Sequence, residues 1–120
     1  MKETLRQTGE IDKGVWKLTK ENDGQQLSVS VEDKIKVTLP ESPTSGYLWS
    51  VTQLDTEVII KMGEKFVEPK SLNKIGAGGK REFAFQALKP AATDITLTCK
   101  RPWESGEEPS STFKVTVLIK

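Results

Sequence analysis

The sequence predicts an all-β antiparallel sandwich, and two observations carry that expectation. Apolar residues recur with period two in five separate segments, while helix-period patterning is hard to find. The segments are short and separated by turn residues, which is the spacing of about seven to eight strands. At 120 residues the chain has the length of one domain. That is enough to bury a core without disulfides or metals.

Residues 1–14 show no alternation and are set apart as an N-terminal segment, leaving 15–120 as a single domain. Val15, Trp16, Lys17, Leu18 and Thr19 form the first, less regular strand candidate. Leu27, Val29 and Val31 alternate with Ser28 and Ser30, and Ile35, Val37 and Leu39 with Lys36 and Thr38. Two less regular candidates follow at 47–54 and 58–67. Phe83, Phe85 and Ala87 alternate with Ala84 and Gln86, and Ile95, Leu97 and Cys99 with Thr96 and Thr98. Phe113, Val115, Val117 and Ile119 close the series. Each set puts its apolar members on one face of a half-buried strand. Two such faces would meet over a core of Val, Ile, Leu and Phe. Trp16 and Trp49 fall within strand patterns and are expected in the core or on a sheet face. Cys99 continues the register of Ile95 and Leu97, so it reads as a small buried hydrophobe rather than a nucleophile.

Composition excludes several chemistries. Eighteen Lys and Arg against 17 Asp and Glu give a net charge of +1, with no basic footprint for nucleic acid or an anionic membrane. The chain has no histidine, which removes Ser-His-Asp and Cys-His nucleophile pairs and imidazole general bases. One cysteine makes neither an internal disulfide nor a thiolate metal cage. No metal or other cofactor is expected. The first 14 residues hold no secretory apolar run, no stretch approaches a bilayer span, and no N-x-Ser/Thr sequon occurs. These features point to the cytoplasm.

Connection parity bears on function. In a sandwich whose strands run alternately up and down, successive connections lie at opposite ends. Of the connections at 40–46, 55–57, 68–79, 89–92 and 101–110, the first, third and fifth would share one end. They are also the longer ones, rich in Gly, Pro and Ser, and three elaborated loops on a rigid end read as a binding edge. The parity requires 58–67 to be one continuous strand. A turn at Met62-Gly63-Glu64 would separate the first loop from the others.

The first loop, Ser42-Pro43-Thr44-Ser45-Gly46-Tyr47, combines a proline that fixes its own φ with a glycine that permits positive φ. A tight turn is expected, with the hydroxyls of Thr44 and Ser45 at its tip, and an ordinary inter-strand turn accounts for the same residues. The second loop contains Gly76-Ala77-Gly78-Gly79. A phosphate cradle needs a following helix N-terminus, whereas Lys80 and Arg81 run into a strand. The remaining readings are a backbone that lies flat along a partner and a merely flexible hairpin. The third loop opens Arg101-Pro102-Trp103. Trp and Arg beside charged residues suit an exposed anchor, and a tryptophan folded back onto the sandwich end suits the pattern equally. Arg101 is placed to stack on an aromatic or pair with a carboxylate.

These three motifs, in this order on an all-β chain, resemble the chagasin-type inhibitors of papain-like cysteine proteases. That family carries Asn-Pro-Thr-Thr-Gly-aromatic, Gly-x-Gly-Gly and Arg-Pro-Trp/Phe in successive loops. Here they stand as Ser42 to Tyr47, Gly76 to Gly79 and Arg101-Pro102-Trp103, and the resemblance spans 28–120. It implies an immunoglobulin-like sandwich and a reversible, tight-binding inhibitor that is not an enzyme, is monomeric when free, and fills the cleft of cathepsin L/B-like or papain-like enzymes. By the same resemblance Thr44 sits nearest the protease's catalytic centre, Gly76 to Gly79 lie extended along one side of the cleft, and Trp103 packs on the other side with Arg101 supporting or contacting. Ser42 stands where the motif has Asn, which weakens an Asx-type brace of the turn. Ser45 replaces Thr and keeps the hydroxyl. The competing reading is an immunoglobulin-like adhesion or carbohydrate-binding module that uses the same loops.

Overall fold

The computed structural model describes residues 10–12, 14–42, 46–68, 79–101 and 111–120. It is an immunoglobulin-like sandwich of nine described strands. They are β1 (Glu10–Asp12), β2 (Val15–Thr19), β3 (Gln26–Val29), β4 (Lys34–Glu41), β5 (Leu48–Gln53), β6 (Ile59–Val67), β7 (Gly79–Ala87), β8 (Ala91–Lys100) and β9 (Ser111–Ile119). One sheet has the order β1-β2-β4-β7-β6 and the other β3-β9-β8-β5. The alternating residues behave as their period requires. Ile35, Val37 and Leu39 of β4, Phe83 and Phe85 of β7, Ile95 and Leu97 of β8, and Phe113, Val115 and Val117 of β9 all point into the space between the sheets and are buried. Trp16, Trp49 and Cys99 join the same core.

Three expectations need correction. The sheets are not purely antiparallel, because β2 pairs with β4 and β3 with β9 in parallel. The reason is topological. β3 lies in the second sheet, so β2 and β4 become neighbours after two reversals and run the same way. Val31 lies in a turn after β3 rather than in the strand. Residues 10–12 add an edge strand antiparallel to β2 within the segment set apart from the domain. The expected continuous strand is present, because Met62-Gly63-Glu64 is a bulge and not a turn. Lys61 faces Phe85 and Gly63 faces Ala84, so Met62 is the extra residue, and β6 continues to Val67. The parity therefore holds.

The turn from β3 to β4 shows how a polar side chain sets a reversal at the opposite end of the sandwich from the three loops. Asp33 accepts hydrogen bonds through Oδ2 from the Ser30 backbone N–H (2.9 Å) and from Trp16 Nε1 (3.1 Å), fixing the turn to β2. Glu32 takes φ of 77° there, and its N–H donates to the Ala87 carbonyl at 2.8 Å. A side chain in that left-handed region costs about 1 kcal/mol. Glu32→Gly is therefore expected to raise stability by about 0.5 kcal/mol in urea unfolding, after allowing for the greater backbone entropy of glycine in the unfolded chain.

Candidate functional site

Registers bring six strand ends together. In the first sheet Glu41 at the end of β4 faces Gly79 at the start of β7, and Lys80 faces Val67 at the end of β6. In the second, Leu48 at the start of β5 faces Lys100 at the end of β8, and Cys99 faces Ser111 at the start of β9. All three elaborated connections thus emerge from one end. A fourth connection, 20–25, leaves the same end, but β2 stops at Thr19 opposite Thr38, three residues short of Glu41. It is set back by roughly 10 Å at the rise of a strand, and the Asp23 carboxylate accepts from the Lys114 N–H at 2.8 Å.

What joins the two sheets at this end is a carboxylate. Glu41 occupies the buried phase of β4, after Ile35, Val37 and Leu39, and its side chain is fully buried. Oε2 accepts from the Trp49 backbone N–H at 2.8 Å, across the sandwich. Oε1 accepts from Arg81 Nε at 2.9 Å and from Nη2 at 2.9 Å. The Trp49 indole Nε1 donates to the Pro40 carbonyl at 2.8 Å, so β4 and β5 meet twice where the first loop leaves and returns. Arg81 is the next residue of the β7 phase before Phe83 and Phe85, and its Nη1 reaches Glu64 Oε2 at 3.2 Å. Its guanidinium lies over Phe66, 5.8 Å from the ring centroid. The hydrogen bond that Arg81 donates to Glu41 raises the Arg81 pKa above its ordinary value, against burial, which lowers it. A raised cationic pKa stabilises the fold at every pH below the unfolded value and is lost only above it, so the arginine half of this clamp stays charged through the neutral and alkaline range.

The expected site residues fall into two groups. Ser42, Gly46, Tyr47, Gly79 and Arg101 are placed by the structure at this end. Pro43, Thr44, Ser45, Gly76, Ala77, Gly78, Pro102 and Trp103 lie outside the described residues. Gly46 has φ of 84°, as a glycine in that turn should. Gly79 is the buried first residue of β7, and a Cβ there would collide with the Val67 carbonyl oxygen and the Phe66 ring. Its lack of a side chain is therefore required by strand packing, whatever the loop before it does. Arg101 lies over the Tyr47 ring, 4.4 Å from its centroid.

Sequence reasoning missed Glu41, Trp49 and Arg81 as determinants of the site. The signal was present. Two opposite charges continue the buried phases of two apolar strands, and buried charges occur when paired. Glu41 meets three donors, so its carboxylate is committed to structure and does not act as a general base. Among the described residues this end carries the stack of Arg101 on Tyr47, which suits binding.

Comparison with known proteins follows the same outline. Residues 28–117 match the family model described as Chagasin family peptidase inhibitor I42. Amoebiasin-2 of Entamoeba histolytica is 31% identical over 103 residues, covering 86% of this chain and 84% of that protein. Chagasin of Trypanosoma cruzi is 29% identical over 103 residues, covering 82% and 93%. The crystal structure of the cysteine protease inhibitor EhICP2 from Entamoeba histolytica superposes with a TM-score of 0.82 at 29% identity, covering 88% of this chain and 96% of that one.

Removing one partner of a buried ion pair leaves the other desolvated and unpaired. Glu41→Ala is expected to cost about 3 kcal/mol in urea unfolding, and Glu41→Gln, which keeps an acceptor for the Trp49 N–H, about half of that.

Proposed function

The chain belongs to the chagasin family of peptidase inhibitors, and we propose that it holds papain-like cysteine proteases inactive by seating its three-loop end in their active-site cleft. One observation carries the reading: the strands preceding and following all three motif-bearing loops end together at one edge, and a buried carboxylate locks two of those loops at their roots. The protein is an inhibitor and not an enzyme. The first loop, with Pro43, Thr44, Ser45 and Gly46, is assigned the catalytic end of the cleft. Gly76, Ala77 and Gly78 are assigned one wall, and Pro102 and Trp103 the other.

Inhibition of this kind is steric and reversible. A frame that fixes the roots of each loop before binding lowers the ordering cost on association. A footprint of standard size, roughly 1,600 Å² in total, then supports nanomolar or tighter binding. No peptide bond need be presented in line with the protease nucleophile, so the inhibitor survives the encounter. Cys99 is buried in β8, and the cytoplasm is proposed as the compartment.

Titration against active-site-titrated papain and cathepsin L tests the proposal, with trypsin as control. Stoichiometric loss of cysteine-protease activity is expected, with trypsin unaffected and the inhibitor uncleaved. Full protease activity at micromolar inhibitor would overturn it. Within that assay Trp103→Ala is expected to speed dissociation about thirtyfold, the size of a typical interface anchor, while association changes little. Unchanged dissociation would remove Trp103 from the contact surface.

A further inference from the structure

We infer that Arg101 works inside the inhibitor, as the positioning residue that ties the third loop to the first, rather than as a contact on the protease; this rests on the inhibitory reading above. The last backbone pair between β5 and β8 at this end is Leu48 with Lys100. Tyr47 and Arg101 are the next residues outward on each chain, so they occupy the following rung of the same ladder. There the guanidinium carbon lies 4.4 Å from the ring centroid, well inside the distance at which an arginine is held by an aromatic face. The side-chain stack thus extends the sheet one step past its backbone pairing.

Both partners are held from below. Tyr47 packs against the core cluster and is half-buried. Arg101 is half-buried, follows directly on β8, and precedes a proline, which restricts its own backbone to extended conformations. Its planar guanidinium uses the ring face in a way that a lysine ammonium does not reproduce. Tyr47 closes the first motif and Arg101 opens the third, with Trp103 two residues beyond. Holding Arg101 on Tyr47 therefore fixes where the third loop begins relative to the first. The two loops then act as one binding element, and their contributions to affinity are not additive.

The test combines a kinetic double-mutant cycle with a spectroscopic measurement on the free protein. Dissociation from papain is measured for wild type, Arg101→Ala, Arg101→Lys, Tyr47→Leu and Arg101→Ala with Tyr47→Leu. Each single substitution is expected to speed dissociation about tenfold, and the double variant no more than either single one. Association rates and their salt dependence should stay at wild-type values. Loss of the ring-current shift of the Arg101 Hδ protons in Tyr47→Leu assigns its source to the Tyr47 ring. Those protons should resonate upfield in the wild type and return to ordinary positions in Tyr47→Leu. Additive effects would overturn the inference. So would slower, salt-sensitive association of Arg101→Ala that lysine restores, because that is the signature of a charge meeting the protease directly. Absence of the ring-current shift would overturn it at the level of the contact. Papain left fully active by the wild type would instead overturn the inhibitory reading itself.

Discussion

The Glu41 carboxylate is the constraint on which the loop-bearing end depends. Its side chain has no exposed surface, and a buried charge is tolerated only when its partners replace the water it has lost. Two residues do so here, and each belongs to a different structural task. The Trp49 N–H lies in the opposite sheet, just after the first loop returns. Nε and Nη2 belong to Arg81, two residues beyond the buried start of β7, where the second loop ends. One carboxylate therefore sets the span of the first loop and the position of the second loop's root at once. Because the carboxylate must be satisfied for the sandwich to close, loop placement is a condition of folding. The entropy of closing the first loop is spent when the chain folds, not when a protease arrives.

Around this clamp the packing divides labour sensibly. The apolar members of β4, β7, β8 and β9 fill the middle of the sandwich, where non-directional burial suffices. Directional interactions sit at the two ends, Asp33 at one and Glu41 at the loop end, where orientation matters more than gross stability. Trp49 embodies both, with a buried ring and an indole N–H spent on the Pro40 carbonyl. Phe66 serves two neighbours. It lies beneath the Arg81 guanidinium and occupies the space above Gly79 that a side chain would need.

Much of this was legible in the sequence. Period-two alternation located β3, β4, β7, β8 and β9, less regular patterns marked β2, β5 and β6, and the counting of reversals placed three loops at one end. The counting survived because the irregularity at Met62 is a bulge that shifts register without reversing the chain. Glu41 and Arg81 were legible in principle, since each continues an apolar phase, but only strand pairing shows that the two phases adjoin. Other features had no local signal. The parallel pairs arise because β3 crosses to the second sheet, a tertiary choice that residues 26–29 do not encode by themselves. The demand for glycine at position 79 comes from Phe66, thirteen positions earlier in the chain. The cradle of Asp33 on Trp16 likewise joins residues whose proximity depends on β2 lying beside β4.

The clamp also changes how the departures in the first motif should be weighed. Ser42 stands where the resembling motif carries asparagine, and an asparagine there would brace the turn through its own side chain. Were that brace the sole determinant of loop placement, serine would loosen the loop. In this chain the residue before Ser42 and the residue two beyond Tyr47 are joined through Oε2, and the Pro40 carbonyl receives a second bond from the same tryptophan. The two ends of the loop are therefore fixed independently of the side chain at 42. A substitution at 42 then acts on the internal shape of a short segment whose ends do not move, while a substitution at 41 or 81 moves the ends themselves. The residues that touch a partner and the residues that decide where those contacts stand are different sets, and the second set lies in the strands.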